Sequence, residues 1–415
     1  MAQTENEKAK MTKEEQAMVL LFELRMVALY RFLVTDGPLH KLEQLLDASM
    51  SEGGKRRKDR LERAALYSEF VAEVYEKGGA LGPYLEKEVL AADNPYVRML
   101  AEGKTPPGQM NAAFKREMDL FTRLGVLTAG EIIEMAGLPK TMSTFDVVPR
   151  NMIVSVPEYL KGAKKNGYGC WAQHGMFRVN IEGGIEPVTC PDPITPRKLL
   201  GYEAEKKAVY ENVSAMLDGK PAANMLLLGD AGLGKSATVK AVCNELRSQG
   251  VRLLEIKKQQ LPLLPKVMDQ LQQVPLKFVV FMDDLSVEAS VEQTTLESLL
   301  EGSAAAKPAN VIFAATLNQN RKGHRTFGTR DDDGLARWEE NEETPLTSRF
   351  GLKVLFRRPD RKTYLEIVHG LMAQEGLFVP ETDEEIDAMA EAYAAERGGR
   401  SPRAAHQFLD QLKRR

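Results

Sequence analysis

Eight consecutive residues constrain this chain more than any others: Gly229-Asp230-Ala231-Gly232-Leu233-Gly234-Lys235-Ser236. They fit G-x-x-x-x-G-K-[ST] and lie between an apolar strand pattern at 225–228 and an amphipathic helix pattern at 235–248. Glycines let the backbone turn so that successive N–H groups face one point. A helix that begins near Lys235 aims the positive end of its dipole at the same point. This is a cradle for the phosphates of a nucleotide. Lys235 reaches the β- and γ-phosphates, and Ser236 ligates Mg²⁺. The expected ATP contacts are Gly229, Asp230, Ala231, Gly232, Leu233, Gly234, Lys235, Ser236 and Ala237.

The surrounding pattern alternates helix and strand. Helices are expected at 203–218, 235–248, near 263–273 and at 291–302. Strands are expected at 225–228, 252–256, 278–282, 310–316 and 352–356, and 361–415 reads as helical. That alternation predicts an α/β fold with a parallel sheet and a C-terminal helical lid. The run Phe278-Val279-Val280-Phe281-Met282-Asp283-Asp284 ends an apolar strand on two carboxylates, 48 residues after Lys235. Asp283 is placed to hold Mg²⁺, and Asp284 to orient or deprotonate an attacking water. Asn318 follows the strand pattern VIFAAT and is a candidate to position that water. Arg349, just before the last strand, is a candidate to reach a nucleotide on a neighbouring subunit. Arg403, in Gly399-Arg400-Ser401-Pro402-Arg403, opens the last helix and is a candidate phosphate contact from the lid, with Arg400 as the competing choice.

Upstream, residues 1–10 are polar and expected to be disordered, and 11–137 read as helices at 12–34, 60–77, 84–102 and 109–123. Residues 144–190 carry β-branched and aromatic runs, FDVVP, MIVSVPEYL, CWAQHGMFRVNI and IEPVTC, and predict a small β element. CPDPITPRKLLGYE (190–203) reads as a linker. The expected domains are 1–140 helical, 141–194 small β element and linker, 195–360 nucleotide-binding and 361–415 lid. The loop at 51–63 holds Lys55, Arg56, Arg57, Lys58, Arg60 and Arg63, either a solvated charged turn or a contact for a phosphate backbone or an acidic partner. The long charged stretch 320–344 is expected as a surface loop or partner contact.

Net charge is −3 over 415 residues, so no global field favours nucleic acid or an anionic membrane. The most apolar stretch, 18–34, is interrupted by Glu23, Arg25 and Arg31, which argues against a membrane span. The first residues lack the pattern of a secretory signal. Cys170, Cys190 and Cys243 are too scattered for a disulfide framework, and Cys170, His174 and Cys190 match no strong zinc spacing. A cytoplasmic protein is expected.

The order Lys235, Asp283-Asp284, Asn318, Arg349, Arg403 resembles that of the AAA+ ATPases, over roughly 195–415. There these places are Walker A, Walker B, sensor 1, arginine finger and sensor 2. More narrowly, the chain resembles an uncharacterised bacterial AAA+ family known as a domain of unknown function. The residues are NGYG (166–169), CPDPI (190–194), GYEAEKKAVYENV (201–213), GKPAANMLLLGDAGLGKS (219–236), FMDDLS (281–286), LEGS (300–303), SRFGL (348–352) and GGRSPRAAHQF (398–408). The resemblance implies ATP and Mg²⁺ as cofactors, hydrolysis, a homo-oligomer, and Gly201 and Tyr202 beside the base. Two departures stand out. Asp284 occupies a place usually held by Glu, which implies slower turnover, and Gln319-Asn320-Arg321 follows Asn318 where that family often has an Arg pair. Residues 256–271 contain no aromatic and no glycine, so they lack the aromatic–aliphatic–Gly loop of AAA+ unfoldases. Three roles remain open, in this order: remodelling of a protein or assembly, a nucleic-acid-associated ATPase of the loader kind, and a slow nucleotide switch that recruits a partner.

Overall fold

A computed structural model describes residues 11–50, 57–285, 308–318 and 347–414. The chain divides by contact density into two units, Met1–Gln173 and His174–Arg415. Lys55, Arg56, the expected helix 291–302 and the charged stretch 320–344 lie outside the described residues, as do residues 1–10.

The first unit is helical and has one core, which includes Leu24, Tyr30, Leu42, Phe70, Phe121, Ile132 and Val156. The expected helix 12–34 is broken. It runs Lys13–Arg25 and resumes as a short turn, Phe32–Thr35. Glu117 explains the break: its buried carboxylate accepts from the backbone N–H groups of Ala28, Leu29 and Tyr30 at 2.9–3.0 Å. Three amides satisfied by one side chain have no need of helical carbonyls. The pattern 84–102 is likewise two helices, Leu81–Leu90 and Pro95–Ala101. They are separated at Asn94, whose side chain caps the second through Val97 N–H. Residues 37–50 form a further helix within the stretch expected to be helical, outside the four segments named for it, with Leu39, Leu42, Leu45 and Leu46 buried.

The basic loop is shorter than expected, because helix Arg57–Glu76 begins inside it. Arg63 is not a surface cation: it is buried, and its guanidinium donates to the Ala136 carbonyl at 2.7 Å.

The reading of 144–173 as β is corrected by the structure. MIVSVPEYL forms helix Met152–Leu160. Its buried side chains are Met152, Val156 and Leu160, while Ile153 and Val154 are exposed. That is four-residue spacing, and burial on it outweighs the local β preference of Ile and Val. FDVVP makes only an isolated bridge, Asp146 to Ala80.

The second unit is built on a seven-stranded sheet. Its strands are β1 (Met176–Val179), β2 (Ile185–Pro187), β3 (Met225–Gly229), β4 (Val251–Glu255), β5 (Lys277–Leu285), β6 (Val311–Leu317) and β7 (Leu352–Phe356). Their order is β2-β1-β4-β5-β6-β3-β7. All neighbours pair in parallel except β1 with β2. The expected parallel α/β core is therefore present, and the β1–β2 hairpin extends its sheet beside β4. Every residue of β3 and β6 is buried, as expected of parallel strands covered on both faces. The Pro-rich segment expected as a linker is fastened to this core. Asn244 donates to the Asp192 and Ile194 carbonyls, and Lys206 Nζ donates to those of Pro196 and Leu199. Helices Arg361–Glu375, Asp383–Glu396 and Pro402–Leu412 form the lid around a core that includes Tyr364, Val368, Ala390 and Phe408.

The strand order sets where a ligand can sit. The chain leaves β3 for β4, steps back through β5 to β6 on one flank of β3, then adds β7 on the other. The crevice beyond the carboxyl end of β3 is thus a topological switch point, where open α/β sheets bind ligands.

Candidate nucleotide site

β3 ends on Gly229, where φ is 141°, and the chain turns through Gly232 (86°) and Gly234 (92°) into helix Lys235–Glu245. Gly229 pairs with Phe356 of β7, and a Cβ at 229 would collide with the Phe356 carbonyl. This glycine is required by close approach as well as by its dihedral.

Lys235 is buried. Its ammonium donates to the Gly229 carbonyl (2.6 Å), the Asp230 carbonyl (2.7 Å) and Asn318 Oδ1 (2.9 Å). Burial pulls its pKa below the ordinary lysine value, opposed by the charges of Asp230, Asp283 and Asp284. Two of its donors fold back onto loop carbonyls and the third onto Asn318, a cation able to exchange these acceptors for phosphate oxygens.

Ser236 Oγ donates to Asp283 Oδ1 at 2.7 Å. A hydroxyl and a carboxylate in contact are oxygen donors of the hard type that Mg²⁺ takes, alongside water and phosphate. The expected Mg²⁺ residues therefore fit the ion. Among the described residues no group of three or more His, Cys, Asp or Glu is placed to bind a metal by itself. Cys170 and Cys190 are exposed, unpaired thiols, and Cys243 is buried.

Asp284 has φ 56°, where β5 shifts register between Met282 and Leu285. Its side chain accepts from Asn318 Nδ2 at 2.8 Å. Asn318 thus bridges Lys235 and Asp284. Thr316 was not anticipated. Its hydroxyl donates to Asp283 Oδ1 (2.6 Å) and accepts from the Asp284 backbone N–H (2.9 Å), so one side chain of β6 fixes the Asp283 carboxylate and the Asp284 backbone. A threonine in an otherwise apolar strand gives no sequence signal beyond β preference.

From the lid, Arg403 rather than Arg400 lies over the loop. Arg403 N–H donates to the Gly232 carbonyl at 3.3 Å, and its side chain fills the space a Gly232 Cβ would need. Arg400 is paired with Glu391 through two bonds of 2.9 and 2.6 Å. Gly201 and Tyr202 border a small cavity of about 30 Å³ with Leu233, Gly234, Thr238, Ile367 and Leu371, beside the phosphate loop. That volume holds a water or two. Ala231 lines a second cavity of about 370 Å³, with Asp230, Leu233, Asn318, Arg358 and the turn 397–401. Ala237 lies in the first turn of helix Lys235–Glu245. Arg358 is the other residue not anticipated: its Nε donates to Asp230 at 2.6 Å.

Arg349 is not brought to this site. It is exposed in a turn, Thr347–Arg349, ahead of β7. Leu352 pairs with Met225 and Phe356 with Gly229, so Arg349 lies beyond the amino end of β3. The loop lies past the carboxyl end, a strand of about 13 Å away at ~3.3 Å per residue.

Among solved structures, the Thermotoga maritima RuvB Holliday junction branch migration motor aligns at 15% identity and TM-score 0.31, covering 52% of this chain and 72% of that one. The Aeropyrum pernix Orc1 protein in complex with DNA aligns at 16% and 0.38, covering 52% and 62%. The FIGL-1 AAA domain in complex with ADP aligns at 17% and 0.35, covering 50% and 70%. No curated protein matches. The parallel sheet, the phosphate loop after β3 and the two carboxylates near the end of β5 form an α/β P-loop core of the kind the motifs implied. A family model described as "Protein of unknown function (DUF815)" matches residues 172–415, more than half of the chain, and the chain belongs to that family.

Proposed function

We propose that this protein binds ATP with Mg²⁺ and hydrolyses it to ADP and phosphate, acting as a homo-oligomer that remodels a protein or macromolecular assembly. One observation carries the reading: two linked sets of hydrogen bonds at the carboxyl end of β3. Ser236 and Thr316 both donate to Asp283, and Asn318 joins Lys235 to Asp284. Lys235 and the loop amides bind the phosphates, Ser236 and Asp283 hold Mg²⁺, and Asp284 with Asn318 orients the water. Arg403 closes over the loop from the lid, and Gly201 and Tyr202 border the base. Mg²⁺ held by Ser236 and Asp283 would supply charge neutralisation to the phosphate oxygens.

The position of Arg349, exposed and at the far end of β3 from its own loop, supports a role toward a neighbouring subunit's nucleotide. Three free thiols among the described residues fit a reducing cytoplasm. No helix of the described residues is long and apolar enough to cross a membrane.

Asp284→Ala tests the assignment. It is expected to bind ATP and not turn it over, and normal turnover would remove Asp284 from the role. Arg349→Ala is expected to bind without hydrolysing, and mixing it with Asp284→Ala restores part of the activity if the site is shared. Absence of rescue counts against action between subunits. Affinity capture from Asp284→Ala held in ATP identifies the partner. A captured nucleic acid instead of a protein would overturn the remodelling role in favour of a loader.

A further inference from the structure

The phosphate loop carries its own negative charge. Asp230 lies one residue past Gly229, and its backbone carbonyl accepts from Lys235, so a carboxylate sits at the edge of a site built for an anion. Left bare, it would repel a triphosphate. Arg358, two residues after β7, meets it with Nε at 2.6 Å. The same guanidinium donates through Nη1 to the carbonyl of Gly398 in the lid turn, at 2.5 Å.

That turn is built around the arginine. Gly398 and Gly399 have φ of 86° and 117°, and a Cβ at 399 would collide with Arg358 Nη1. The glycines thus let the lid backbone pass close enough for a carbonyl to accept from Arg358. All three parties border the 370 Å³ cavity that also contains Ala231, Asn318 and Arg397.

We propose that Arg358 is a positioning residue for the nucleotide site: it neutralises Asp230 and ties the phosphate loop to the lid turn at Gly398. The inference rests on the nucleotide reading above. As a stability element the pair is minor, because Arg358 is half exposed. Its effect lies in what Asp230 does when unpaired. In Arg358→Ala the carboxylate is turned loose beside the phosphates and nothing holds the lid turn. In Asp230→Asn the repulsive charge is gone and the arginine is not needed to cancel it.

The test measures binding of a fluorescent ATP analogue with Mg²⁺, and turnover, on the full chain. Arg358→Ala is expected to bind roughly ten times more weakly, the scale of one charge-assisted hydrogen bond lost. Asp230→Asn combined with Arg358→Ala recovers most of that affinity, which a purely structural role for Arg358 does not allow. Arg358→Lys keeps the charge and loses the fork. It is expected to bind nearly normally but to show faster amide exchange across 397–401 and a lowered kcat. Two results overturn the proposal while leaving the nucleotide reading intact, provided Lys235→Ala is blind to the analogue: unchanged affinity in Arg358→Ala, or no recovery in the double variant. Binding by Lys235→Ala overturns both.

Discussion

At Thr316 a single hydroxyl holds one carboxylate and the backbone of the next residue. It is buried, it donates to Asp283, and it accepts from the amide of Asp284, whose φ of 56° is unusual for a residue other than glycine. Thr316→Val keeps the shape and removes the hydroxyl. Losing hydrogen bonds to a charged group costs about 1.5–3 kcal/mol, so kcat is expected to fall on the order of 10–100-fold and the Mg²⁺ requirement to rise. ATP affinity should change little, because Lys235 and the loop amides are untouched. Thr316→Ser should restore most of kcat, and equal activity in the Val and Ser variants would rule out the hydroxyl as the cause. Lys235, Ser236 and Asp283 were legible without a structure, because a phosphate loop and its metal carboxylate are fixed by spacing along the chain. Thr316 and Arg358 were not. Their roles come from strand register, β6 beside β5 and β7 beside β3, which places residues distant in sequence within one hydrogen bond.

The same distinction holds for whole elements. β7 runs Leu352–Phe356, as its apolar run between turn residues indicates, and the other core strands fall within a few residues of expectation. Helix Met152–Leu160 was misread because β-branched residues were weighed above the spacing of Met152, Val156 and Leu160. The break in the first helix was invisible because its cause, Glu117, is 87–89 residues away. Glu117→Ala is expected to destabilise the chain by about 3 kcal/mol, since three amides, that of Tyr30 buried and the other two partly so, lose a charged acceptor. Chemical unfolding of the full chain measures this, and a change under ~0.5 kcal/mol would mean that water replaces the carboxylate.

In the lid, Arg400 holds the Glu391 carboxyl below its ordinary pKa, with Arg361 adding to the effect. Asp360 and Glu385 are held down by the first amides of their helices. A depressed carboxylate stabilises above its unfolded pKa of about 4.3 for Glu, and the contribution is lost as pH falls through the folded value. Glu391→Gln should therefore melt below wild type at neutral pH, with the gap closing as the solution is acidified below about pH 4. A gap independent of pH would assign the loss to packing.

For the molecule as a whole, both halves of the chain follow from different kinds of order. The second unit is a mostly parallel sheet whose crossovers bring β3, β5 and β6 to one crevice, and its sequence states this openly through buried strands with Gly, Asp and Asn at or beside their ends. The amino-terminal unit is helices around a single core, where long-range caps such as Glu117 set the element ends. The candidate site is assembled at the carboxyl end of β3, with Arg349 at the opposite end, and the proposed dependence of hydrolysis on assembly rests on that separation.

Beneath every assignment lies the binding of a magnesium nucleotide at Lys235. Calorimetric titration of Mg²⁺–ATP into the folded chain and into folded Lys235→Ala measures it directly. The account predicts saturable heat at one site per chain in the wild type and none in the variant. Absence of heat in the wild type, or equal heat in both proteins, would contradict it.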